Sequence, residues 1–218
     1  MKLYRLLFVL LAITLVPSAA FAQQQFEIAP FAAWQHGNDL FDQPTGTRID
    51  IANGSAYGFI VDVSITDNLQ AEFIYNRRST TVDVTAPPQE GAPDGINLSA
   101  VPVIANYYQG GLIYNFPIWN KPQFKPFMGF GMGVASFSEN DDRADVKGTN
   151  NFSWSVAGGF KYFFNKNIGF RGEYRLFSTQ TDFVQRGYWC DWWGWCWTFA
   201  SKQNLWQSQL TAAFVIGF

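Results

Sequence analysis

The last nine residues alternate in character: Leu210, Ala212, Phe214, Ile216 and Phe218 share one face of an extended strand, while Thr211, Ala213 and Gly217 take the other. The same two-residue period recurs upstream and predicts strands over 26–35, 55–65, 69–83, 99–116, 124–137, 151–163, 168–178 and 204–218. The connections also alternate. Segments 66–68, 117–123 and 164–167 are short, whereas 37–54, 84–98, 138–150 and 179–203 are long.

Parity within the strands decides which face meets which medium. Tyr57, Phe59, Val61, Val63 and Ile65 oppose Asp62 and Ser64; Ala71, Phe73 and Tyr75 oppose Gln70, Glu72 and Asn76. Phe152, Trp154, Val156, Phe160 and Tyr162 oppose Ser153, Ser155 and Lys161; Ile168, Phe170 and Tyr174 oppose Arg171, Glu173 and Arg175. If the apolar set faces hydrocarbon, the charges point inward. The reverse parity would place Lys161, Arg171 and Arg175 in lipid at roughly 2–4 kcal/mol each, a sum comparable with the stability of a whole domain. The prediction is therefore an all-β, transmembrane, antiparallel up-and-down barrel of eight strands, with short turns on the periplasmic side and long loops outside. Glu27, Asp62, Glu72, Lys161, Arg171, Glu173 and Arg175 are expected to form an ionic network across a lumen just wide enough for side chains to fill. Gly129, Gly131 and Gly133 share the inward face of one strand, leaving space for long side chains or permitting a sharp corner. Pro30 falls inside the first strand, where a bulge or shortened strand is expected.

Composition supports the barrel. Aromatic residues make up 18 % and charged residues only 15 %, the mixture that alternating greasy and polar positions produce. At the amino end, Lys2 and Arg5 precede an apolar run from Leu6 to Val16 and the small-x-small triplet Ala20-Phe21-Ala22. Residues 1–22 are read as an export signal and 23–218 as the barrel domain. The formal charge of −2 supplies no basic stripe, so nucleic acid is not an expected partner. No cofactor or metal site is indicated.

The pattern resembles the small eight-stranded outer-membrane β-barrels, the group that contains the OmpA transmembrane domain, OmpX and the proteins grouped under the outer membrane protein beta-barrel domain. The resemblance rests on KPFMGFGMG at 125–133, FRGEYR at 170–175 and AAFVIGF at 212–218, and spans essentially all of the chain after the export signal. It implies an outer-membrane location reached through the periplasm, and a monomer in contact with outer-membrane lipids and lipopolysaccharide. It also implies that Phe214, Ile216 and Phe218 form the signal read by the barrel-assembly machinery.

Chemistry outside the wall concentrates in the fourth long loop. There Trp189, Trp192, Trp193, Trp195 and Trp197 surround Cys190 and Cys196. An exported chain meets an oxidising compartment, so a disulfide is the simplest reading of the two cysteines. Five indoles held beside it suit recognition of a sugar, lipid headgroup or protein as an extracellular ligand of unknown identity, or else an interfacial aromatic anchor. His36, the sole histidine, with Asp39 or Asp42 is a candidate base and orienter, but no nucleophile is marked, and it reads as a solvated rim residue. Asp141, Asp142 and Asp145, beside Glu139 and Arg143, read as a solvated acidic loop, since their spacing does not match a calcium loop. Arg77, Arg78 and Lys202 near loop ends read as rim residues, with lipopolysaccharide phosphates as the other possibility. The leading functional expectation is a non-enzymatic scaffold for envelope integrity or for adhesion and recognition through its loops. The rivals are a small porin or OmpW-like conduit, motivated by Ile60, Ile74, Phe127 and Phe163 on the inward face, and a lipid-modifying enzyme.

Overall fold

Alternating side chains make ten antiparallel strands, and eight of them close on themselves. In the computed structural model, which describes residues 26–42, 46–88, 96–118, 122–139, 149–190 and 196–218, the strands are β1 (Phe26–His36), β2 (Asp39–Asp42), β3 (Thr47–Ile51), β4 (Gly54–Ser64), β5 (Leu69–Ala86), β6 (Ile96–Asn115), β7 (Phe124–Glu139), β8 (Thr149–Phe163), β9 (Ile168–Cys190) and β10 (Cys196–Gly217). Residues 42, 96, 98, 139, 149, 182–190 and 196–203 are described by their backbone alone. The hydrogen-bonded order is β2-β3-β5-β4-β1-β10-β9-β8-β7-β6, and a further β5–β6 ladder joins the ends into a ring of eight. Closure removes the unpaired edges that an open sheet would present.

The predicted parity holds throughout the wall. Phe59, Phe73, Phe130, Phe152, Phe170, Leu210 and Phe214 are exposed, while Asp62, Glu72, Lys161, Arg171, Glu173 and Arg175 are each 5 % exposed or less. A continuous apolar exterior over a charged interior inverts a water-soluble protein and demands hydrocarbon outside. Aromatic rings mark both ends of this belt. Phe26, Tyr114, Phe116, Tyr162, Phe164 and Phe218 lie at the turn end, and Trp34, Tyr57, Trp154 and Trp206 lie toward the loops, with Trp154 and Trp206 meeting edge-on at 5.3 Å. Ring closure is sealed at the termini: Phe218 N donates to Phe26 O at 2.9 Å, and Asn167 Nδ2 donates to Gly217 O at 2.8 Å.

Strand ends differ from the sequence reading in one consistent direction: they run further outward. Segment 37–54, read as a loop, contains β2 and β3, which continue the β1–β4 hairpin in the same register, Gln35 opposite Gly54 and then Asp39 opposite Asp50. Segment 84–98 carries the β5–β6 ladder out to Ala86 and Ile96, and 138–150 is entered by β7 and β8. Segment 179–203 shows the largest departure. There β9 and β10 remain paired as far as Cys190 and Cys196. The 179–190 extension lacks alternation because no boundary between lipid and lumen imposes a two-residue period there, whereas β2 still buries Leu40, and Arg48 to Ile51 and Val82 to Thr85 keep a short alternation.

Pro30 provokes neither a bulge nor a shortening. β1 runs unbroken, and its ladder with β10 skips Ala29 and Pro30 but resumes in unchanged register at Phe31 opposite Ala213. The irregularities lie outward instead, at Lys202/Asn204 on β10 and at Val82/Val84 on β5. At the second, Ser99 and Ala100 stand opposite Asp83; Ala100 adopts φ 55° and its N–H is held by Asp83 Oδ1 at 2.6 Å. Left-handed backbone is disfavoured for a residue with a Cβ, and the carboxylate that accepts its N–H holds it there.

Candidate functional site

Within the closed wall, the seven charged residues singled out by parity converge from five strands. Lys161 on β8 is the hub at the turn end. Its Nζ donates to Glu27 Oε2 at 2.6 Å, Asp62 Oδ2 at 2.7 Å and Gln70 Oε1 at 2.9 Å, so one ammonium ties β8 to β1, β4 and β5. Gln70 Nε2 donates to Glu27 Oε1 and Asn115 Nδ2 donates to Gln70 Oε1, which brings in β6.

Two arginines on β9 form the middle layer. Arg171 Nη1 donates to Asp62 Oδ2 at 2.9 Å and Nη2 to Glu72 Oε2 at 2.5 Å, and its Nε donates to Glu173 Oε2 at 2.9 Å. Arg175 Nε donates to Glu173 Oε1 and Nη2 to Glu72 Oε1, both at 2.6 Å. Glu72 and Glu173 thus each bridge both guanidiniums. Spacing two residues apart on β9 makes this possible, because it stacks Arg171, Glu173 and Arg175 on one inward face. Phe127 lies beneath Arg171, ring centroid 4.4 Å from the guanidinium carbon. Isolated buried charges are prohibitively costly, and these are tolerated because nearly every donor and acceptor is paired.

Beyond the ions the lumen is polar but neutral. Arg175 Nη1 donates to Ser155 Oγ, which donates to Gln109 Oε1; Gln109 Nε2 donates to Ser153 Oγ. Asn76 Nδ2 reaches Gln209 Oε1 at 2.7 Å, and Tyr107 Oη and Gln35 Nε2 both donate to Gln207 Oε1. Sequence reading placed Asn76 on the polar face but missed Gln35, Gln109, Gln207 and Gln209. Inward parity alone marks them, since a neutral Gln tolerates either face far better than an Arg does. Two apolar clusters share the interior: Ala29, Phe31, Ile60, Ile74, Phe163, Ala213 and Val215 pack as one, and Ala105, Tyr107, Ala135 and Phe177 as the other.

Arg78 departs from its expected place. It is not a rim residue but fully buried, because it follows Glu72, Ile74 and Asn76 on the inward parity of β5. Its Nη2 donates to Ala52 O at 2.5 Å at the junction of β3 and β4, while Nε and Nη1 have no partner. Arg77, its neighbour, takes the outward parity and is half-buried. The His36 dyad is not assembled with Asp39, whose Oδ2 accepts from Arg48 Nη2 at 2.8 Å. Asp50 also accepts from Arg48, and that hydrogen bond foremost holds the exposed guanidinium above its ordinary pKa. The side chains of Asp42, Glu139 and Lys202 and the segment holding Asp141, Asp142, Arg143 and Asp145 lie outside the description, as do residues 1–22, read from the sequence as an export signal. Among the described residues no cluster of metal ligands occurs.

At the outer end, the backbone of the β9–β10 ribbon sets Cys190 opposite Cys196 and Trp189 opposite Trp197. Directly opposed residues of an antiparallel pair have Cα atoms about 4.5–5.5 Å apart, within the span of a disulfide. Trp192, Trp193 and Trp195 lie in the five-residue connection outside the described residues.

The family model for the outer membrane protein beta-barrel domain matches residues 8–218. Among solved structures the chain is similar to Neisserial surface protein A, with a TM-score of 0.58 and 15 % identity over 88 % of this chain and 97 % of that one. It is similar also to the outer membrane protein OprG from Pseudomonas aeruginosa, with a TM-score of 0.55 and 16 % identity over 89 % and 94 % of the two chains. At such identities the likeness speaks for the fold alone. A search of curated proteins found no match.

Proposed function

The chain belongs to the outer membrane protein beta-barrel domain family and resides in the bacterial outer membrane, and on that footing we propose that it is a non-catalytic scaffold whose lumen is closed and whose outward ribbons present a recognition tip. One observation carries the reading: Lys161, Arg171 and Arg175 are each bonded to carboxylates on facing strands, so the interior is cross-linked from wall to wall. Moving solute through it would require parting several buried ion pairs at once, each break costing about 3–5 kcal/mol. The inward apolar residues Ile60, Ile74 and Phe163 pack within one cluster, and Phe127 supports Arg171; that packing favours a filled interior over a greasy path.

The paired β9–β10 ribbon supplies the mount for recognition. A hydrogen-bonded ribbon closed at its last rung by a Cys190–Cys196 disulfide would hold the Trp192–Trp193–Trp195 connection in one geometry, and pre-ordering lowers the entropic cost of binding. Planar-bilayer recording tests the closed lumen. The expected result is no discrete conductance from the native protein, and reproducible openings would replace the scaffold with a conduit. For the tip, a double Trp192→Ala, Trp193→Ala variant should lose retention on immobilised lipopolysaccharide or glycan arrays while keeping heat-modifiable migration; unchanged retention would remove the tip from the function.

A further inference from the structure

The turn end of the barrel carries a cleft of about 290 Å³ lined by Pro122, Gln123, Lys125, Phe163, Asn165 and Lys166. From it we infer that the periplasmic mouth of the barrel binds a phosphoryl group, held chiefly by Lys125 and Lys166.

Four of the six lining residues carry N–H donors, and none is acidic. Lys125 belongs to the inward parity of β7, two residues before Phe127, and its Nζ is stationed 5.2 Å from the centroid of the Phe163 ring. Lys166 projects from the turn between β8 and β9. Neither lysine makes an ion pair among the described residues, although every lysine, arginine and glutamate of the lumen network does. Asn165 has its oxygen committed, since Oδ1 accepts from the N–H groups of Asn167 and Ile168, so its amide nitrogen is what it retains for a ligand. Gln123 is similarly fixed through its backbone, its carbonyl accepting from Phe163 N at 2.9 Å.

A cleft lined by two ammoniums that make no ion pair among the described residues, one on β7 and one on an exposed turn, with amide donors beside them and no carboxylate in its lining, selects a compact anion with several acceptor oxygens. A phosphoryl group fits that description best, because lysine binds it as a point charge without the planar fork that a carboxylate prefers. Two sources place such a group at the periplasmic face: the headgroup of an inner-leaflet phospholipid and a phosphorylated solute.

The test uses the nitrogen-15-labelled protein purified from outer membranes into micelles of a maltoside detergent, which carries no phosphate, followed by amide NMR. Inorganic phosphate is expected to shift the Gln123, Phe163 and Lys166 signals saturably, whereas chloride at matched ionic strength leaves them in place. In the second arm, adding phosphatidylglycerol to the phosphate-free micelles shifts the same signals if the headgroup is the source. K166Q alone, on an exposed turn, should weaken binding about tenfold, and K125Q/K166Q should abolish it, a charge-assisted hydrogen bond being worth about that factor. Heat-modifiable migration verifies that each variant is folded. Silence in both arms, equal shifts from chloride, or full binding by K166Q and K125Q/K166Q overturns the inference.

Discussion

Gly131 on β7 and Arg175 on β9 occupy the same space from opposite sides: a Cβ at Gly131 would stand 3.7 Å from Arg175 Nη1 and 3.3 Å from Ser155 Oγ. A Cβ alone would sit there in ordinary contact with the guanidinium, but a side chain longer than a methyl group would run into it on its way to Glu72. Replacing Gly131 with Leu should therefore push Arg175 off its carboxylates and lower stability by about 1–3 kcal/mol, the usual cost of overpacking. Urea unfolding in detergent micelles measures this. An unchanged midpoint would mean that the space is not needed.

Lys161 holds two carboxylates and an amide with one ammonium. Lys161→Met strands Glu27 in a dry interior and leaves Asp62 to Arg171 alone, and a loss of about 3–5 kcal/mol is expected. Adding Glu27→Gln and Asp62→Asn to that variant should recover most of the loss, because the repulsive pair is then neutral. A triple variant no more stable than the single one would show that Lys161 acts through something other than charge.

Arg78 should behave in the opposite way. A buried guanidinium with two partnerless nitrogens contributes cost as well as a bond to Ala52 O. Arg78→Met is expected to leave the urea midpoint unchanged or raised while hydrogen exchange quickens across β2 and β3, whose junction with β4 that bond fixes. A lowered midpoint with unchanged exchange would contradict this.

Asn167 clamps the final strand twice, its carbonyl accepting from Gly217 N at 2.7 Å and its side chain donating to Gly217 O. Asn167→Ala removes only the second contact and should cost about 1 kcal/mol. The readout is the temperature at which heat-modifiable migration is lost. Phe218→Ala, by contrast, is expected to slow assembly in cells, since exposed Phe218 belongs with Phe214 and Ile216 to the set proposed as the assembly signal.

The opposed cysteines give a chemical prediction. In protein isolated from the cell envelope, neither Cys190 nor Cys196 should react with a maleimide until a reductant is added. Replacing both with Ser should leave barrel stability intact, because a bridge there would close a ribbon outside the wall, and should increase proteolysis between β9 and β10. Immediate labelling of either thiol would exclude the bridge.

Sequence alone determined the membrane-crossing wall. Where each strand separates hydrocarbon from a packed lumen, an error of parity at Lys161, Arg171 or Arg175 is too costly to survive, so the alternation is written into the residues themselves. The turns were legible for a related reason, since Asn165 and Thr66 serve as local caps whose partners lie within three residues. The outward ribbons were not legible. Beyond the lipid no boundary between two media enforces a period, and only pairing with a neighbouring strand decides that 179–190 is extended. Nor did sequence reveal which acid meets which base: Glu72 and Arg171 lie 99 residues apart and share a hydrogen bond only because closure of the ring brings β5 to face β9. Parity is a property of one strand, whereas partnership across a lumen belongs to the whole cylinder.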